Sequence, residues 1–114
     1  MSGEPGELVA IPFPYSDLHT SKRRPVVIIT PPDRHGDFFG LAVTSVPTPE
    51  YAVPITSDDL SQGELPKASW VRYDKVFTLS ESTIVKRYGQ LSPAVLEKAR
   101  QGFCHYTGCQ SGAP

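Results

Sequence analysis

The sequence predicts a mainly β fold, a small barrel closed by one C-terminal helix, and three observations carry that expectation. Twelve prolines are spread through the 114 residues and break up any long helix over roughly the first ninety. The runs between them are short, β-branched and often alternating. Only the stretch after Ser92 repeats apolar residues at helical spacing.

Taken in order, Glu7 to Phe13 alternates and puts Val9, Ile11 and Phe13 on one face. Val26 to Thr30 is continuously apolar and β-branched up to its threonine, the pattern of a central strand buried on both faces. Leu41 to Val46 reads as a third strand, and Tyr51, Val53 and Ile55 alternate in a shorter fourth. A longer ribbon runs from Ser69 to about Leu79, with another from about Ile84 to Tyr88. Ser92-Pro93 then supplies an N-cap and a first-turn proline. Val95, Leu96, Ala99 and Phe103 form one apolar stripe, with Gly102 and Gly108 expected to weaken the helix end. There is no internal repeat, and the length fits one domain over 1–114, with a core at about 6–106 and a flexible tail at 107–114.

Composition narrows the class. Hydrophobic residues at 39% and charged residues at 20% describe an ordinary globule. No apolar run approaches the ~20 residues of a membrane helix. Met1 to Gly6 lacks the basic start and apolar stretch of a signal peptide, so a cytoplasmic protein with no membrane partner is expected. The net charge of −1 argues against a non-specific nucleic-acid coat but leaves room for one local basic cleft. Lys22-Arg23-Arg24 and Lys86-Arg87 are the adjacent basic runs, and each also reads as solvated surface. Cys104 and Cys109 flank His105 with no second cluster, so no metal is expected and the thiols are expected to be free.

Phosphate-cradling glycine loops, HExxH, GxSxG and paired CxxC motifs are missing. Three places remain. Arg23 and Arg24 stand just before the most apolar strand, where a guanidinium can hold a phosphate in bidentate fashion or simply solvate a loop. Arg72 and Asp74 fall on one face of an extended strand, as an acid–base pair or as an ordinary ion pair. Thr44-Ser45 offers hydroxyls at a strand end, for a phosphate oxygen or for a turn before Pro47.

At these residues the chain resembles the MazF/PemK toxin family. Gly6-Glu7-Leu8-Val9 is similar to the family's first strand, followed by Pro12-Phe13-Pro14. Arg24-Pro25-Val26-Val27-Ile28-Ile29-Thr30 looks like its RP-plus-apolar-strand block, and Ala42 to Ser45 like its hydroxyl-tipped strand. Ser69 to Lys75 with Thr78-Leu79, and then Gly89-Gln90-Leu91-Ser92 with the following helix, complete a match from about Gly6 to Phe103.

That resemblance implies an SH3-like barrel and a homodimer that is held by a cognate antitoxin protein. It also implies sequence-specific endoribonuclease activity on single-stranded RNA without metal or cofactor. The substrate's own 2′-hydroxyl would attack the adjacent phosphorus, leaving a 2′,3′-cyclic phosphate and a 5′-hydroxyl. Carried over, Arg24 stabilises the phosphorane or donates a proton, Thr44 with Ser45 holds the scissile phosphate, and Arg72 and Asp74 share acid and base work. Asp17, His19, Arg23 and Lys75 contact substrate. In the first loop the chain reads Ser16-Asp17-Leu18-His19-Thr20-Ser21, where many relatives have a glycine-flanked glutamate. Three other readings stay open: a barrel relative that binds DNA gyrase without cutting nucleic acid, a degenerate toxin homologue without activity, and a non-catalytic SH3-like interaction module. Tyr15, Tyr51, Trp70 and Tyr73 would line the module's groove.

Overall fold

The computed structural model describes residues 3–14 and 21–109, and everything structural below refers to these. Seven strands form one sheet: β1 (Glu7–Pro14), β2 (Ser21–Ile28), β3 (Asp37–Thr44), β4 (Ala52–Ile55), β5 (Leu60–Gly63), β6 (Ser69–Ser80) and β7 (Lys86–Leu91). Their hydrogen-bonded order is β4-β6-β3-β2-β1-β7-β5, antiparallel throughout. One helix, α1 (Pro93–Thr107), follows.

The sheet cannot lie flat. β4 and β5 are its opposite edges, yet only Thr56 and the 3₁₀ turn Ser57–Asp59 join them. That link spans at most about 19 Å, whereas the edges of seven flat strands stand about 29 Å apart. The sheet therefore curls into a half-barrel. The turn itself is held by a capping box: the Asp59 carboxylate accepts from Thr56 N at 2.8 Å and the Thr56 hydroxyl accepts from Asp58 N at 3.3 Å.

β2 lies at the centre of the order, as its apolar run predicts. Val27 and Ile29 enter one core cluster with Leu8, Leu41, Val43 and Val71, while Val26 and Ile28 enter another with Val9, Ile11 and Phe38. α1 covers the first cluster with Val95 and Ala99. Ser92 caps it, the hydroxyl accepting from Val95 N at 3.4 Å, and Pro93 opens it.

Several expectations need correction. β2 begins at Ser21, β3 at Asp37, and β7 runs Lys86–Leu91 rather than stopping near Tyr88. β5 has a single apolar residue and no period-2 pattern; its backbone pairing with β7 makes it a strand. Gly102 does not end the helix. Its missing side chain makes room for the Tyr73 ring, since a Cβ there would stand 2.6 Å from that ring. Cys104 and Cys109, expected as free thiols, are joined as a disulfide. Gly108, at φ 82°, turns the chain back over the helix end and brings the two Cα atoms to 4.9 Å. No helix among the described residues is long and apolar enough to cross a membrane.

Candidate active site

The first half of β2 meets the end of β3 because the two strands run antiparallel, with Val26 opposite Ala42. Two residues further along that register, Arg24 comes beside Thr44, on the same sheet face as Val26 and Ala42. Here the sheet gives way to a hollow of about 350 Å³ lined by Arg23, Arg24, Thr44, Ser45, Lys67 and Tyr88, with Leu65 and Pro66 on its wall. Three cationic side chains line it, and none of the described lining residues is acidic. Thr44 Oγ1 accepts from Val46 N at 3.1 Å, which starts the turn before Pro47 and leaves the hydroxyl proton to donate. The turn-forming and phosphate-holding readings of Thr44 are thus compatible.

The far wall comes from a loop that the sequence reading passed over. Ser57 Oγ accepts from Leu65 N at 2.9 Å and donates to Leu65 O at 3.2 Å. The buried Ser69 donates to Lys67 O at 3.0 Å. These bonds tie Leu65, Pro66 and Lys67 to the 3₁₀ turn on one side and to β6 on the other, so Lys67 is presented to the hollow from a braced backbone.

Arg72 and Asp74 do not line this hollow. They form a bidentate pair, Nε to Oδ1 at 3.3 Å and Nη2 to Oδ2 at 3.1 Å. Cross-strand pairing sets Arg72 opposite Ala42 and Trp70 opposite Thr44, so Arg72 shares the Arg24–Thr44 face one row further in. A register shift between Leu41 and Ala42 leaves residues 73–75 bulged, and the ion pair ties the middle of that bulge to the paired residue before it. Lys75 is exposed on the bulge. Asp17, His19 and Tyr15 lie outside the described residues. Of the other aromatic residues, Tyr51 and Tyr73 meet edge-on at 6.4 Å and Tyr106 closes on Tyr51 at 5.2 Å, a cluster beside α1.

Of the second basic run, Arg87 is ion-paired to Glu7 at 2.6 Å, while the Lys86 ammonium stands 5.0 Å from the Tyr88 ring centroid. No group of three or more His, Cys, Asp or Glu among the described residues is placed to hold a metal ion.

Compared with known families, residues 4–106 match the model of the PemK-like, MazF-like toxin of type II toxin–antitoxin systems. The chain belongs to that family. No individually curated protein matches it. Solved structures of similar fold include MazF with MazE (form II) from Deinococcus radiodurans, at 20% identity and TM-score 0.77, covering 95% of this chain and 97% of that one. An endoribonuclease in complex with its cognate antitoxin from a mycobacterial species is 18% identical, with TM-score 0.72 and 95% of each chain covered. Mycobacterium tuberculosis toxin MazF-mt6 is 15% identical, with TM-score 0.71 over 91% of this chain and 98% of that one. The family has thus kept its half-barrel and helix at identities where few side chains agree.

Proposed function

We propose that the chain is the ribonuclease toxin of its pair: a metal-independent endoribonuclease that cuts single-stranded RNA at short sequences. The observation that carries this reading is the shared hollow of Arg23, Arg24, Lys67, Thr44 and Ser45, a pocket lined by donors for a phosphate. The nucleophile comes from the substrate, the ribose 2′-hydroxyl. Its oxygen bonds to the adjacent phosphorus, its proton passes to the base, and the 5′-oxygen leaves with a proton from the acid. The products are a 2′,3′-cyclic phosphate and a 5′-hydroxyl.

Arg24 stabilises the charge that gathers on the phosphorane, and Thr44 with Ser45 holds the phosphate before attack. Asp74 and Arg72 take the base and acid roles from the neighbouring row, which requires their ion pair to open onto the substrate. Arg23, Lys75, Asp17 and His19 hold the flanking RNA. In the cell's cytoplasm the toxin works as a homodimer restrained by its antitoxin. The exposed Phe39, Val76 and Phe77, on the paired halves of β3 and β6, are apolar surface for a second copy to cover.

The test is incubation of the purified protein with mixed RNA oligonucleotides in EDTA, with the ends sequenced. Discrete cuts carrying cyclic phosphates are expected, and they should be lost in Arg24→Ala. No discrete cut, or cutting unchanged by Arg24→Ala, overturns the mechanism.

A further inference from the structure

Tyr88 belongs to none of the roles above, yet it lines the phosphate hollow and a second one of about 370 Å³ bordered by Glu64, Lys86 and Arg87. Leu65 and Pro66 line both hollows as well, so a single ridge, with Tyr88 in it, divides two cavities of nearly equal size.

The ridge is held from below by backbone. β5 and β7 pair closely at Gly63 and Gly89, where a Cβ on Gly63 would strike the Tyr88 carbonyl and one on Gly89 would strike that of Gln62. Gly63, at φ +90°, also has a backbone that L side chains rarely adopt. Glu64 N donates to Tyr88 O at 3.3 Å. Tyr88 packs on the rim of the helix-side core and remains half-buried, with cationic side chains to either side: Lys67 in the first hollow, Lys86 by the second.

An aromatic ring set in a braced strand between cations is the chemistry that binds single-stranded nucleic acid, the base stacking on the ring and the phosphates meeting the ammonium groups. We propose that Tyr88 is a stacking platform for a nucleotide flanking the scissile dinucleotide, whose base enters the second hollow. This rests on the ribonuclease reading. Lys86 lies over the ring, an exposed cation–π contact weak enough to be exchanged for a phosphate. Glu64, on the same rim, offers an acceptor to an exocyclic amino group of the base.

The experiment uses synthetic single-stranded RNA carrying the sequence cut in the EDTA assay, shortened one nucleotide at a time from each end. Wild type, Tyr88→Phe, Tyr88→Leu and Tyr88→Ala are compared by KM and kcat. Loss of stacking in Tyr88→Ala and Tyr88→Leu should raise KM roughly 5- to 150-fold on the full oligonucleotide with kcat little changed. Tyr88→Phe should stay near wild type. The penalty should vanish on the truncation that removes the stacked nucleotide, because wild type then loses the same contact. A penalty that persists through every truncation marks a merely structural tyrosine and overturns the proposal. So does an unchanged KM in Tyr88→Leu and Tyr88→Ala while wild type cuts. If wild type cuts nothing, the ribonuclease reading fails first and the platform with it.

Discussion

At the mouth of β2, Arg23 and Arg24 share a hollow with Lys67 and two hydroxyls; on β6, Arg72 directs two of its donors at one carboxylate, Asp74. The two places lie one row apart on the same sheet face, yet they suit different work. Cations gathered around a cavity repel one another and gain from an incoming anion. A guanidinium already forked onto a carboxylate gains little, and as a partly exposed pair it contributes ~1 kcal/mol or less to folding. An arginine's part in RNA chemistry is therefore set by what its strand neighbours place within reach.

The sharpest way to break this contrast is Arg24→Ala, which should lower single-turnover cleavage by roughly 10²- to 10³-fold, the cost of removing one transition-state donor. Asp74→Asn should lower kcat by about 10²-fold if the pair opens to act as acid and base, and by far less if it only braces the bulge. Raising salt from 50 to 200 mM should weaken RNA binding roughly 20-fold for three phosphate contacts, measured by titration of a labelled oligonucleotide. Gly102→Ala leaves both arginine sites alone but pushes on Tyr73, so a loss of ~1–3 kcal/mol in urea unfolding is expected without a change in RNA specificity.

The smallest effect concerns Asp33, remote from both places. Its carboxylate accepts from the backbone N–H of Asp37 and His35, and these bonds hold its pKa below the ordinary 3.8. A lowered folded pKa contributes stability that is present above the unfolded value and lost as pH falls through the folded one. The difference in urea midpoint between wild type and Asp33→Ala should therefore be steady near neutrality and shrink below about pH 4.

How much of this was legible in the sequence follows the range of the forces involved. β2 declared itself because burial on both faces demands an unbroken apolar run, and α1 because Ser92-Pro93 and its stripe act within a few residues. β5 was illegible because its partner strand, not its composition, makes it extended. The cysteine pairing depends on the left-handed turn at Gly108, which spacing alone does not reveal. Arg24 stood out because it leads into the most apolar run, and Thr44 because it ends a recognisable strand. Lys67 and Tyr88 did not, since they reach the hollow from a loop and a strand that only the curl of the sheet brings there.

The two edges of that curled sheet have a consequence for the protein in concentrated solution. β4 and β5 are only four residues long each, and β4 carries Pro54, which has no N–H to offer a passing strand. Neither edge is a good template for strand-by-strand growth into fibres. Self-association would then have to proceed through side-chain surfaces, and it stops at a pair of copies where one patch meets itself across a two-fold axis.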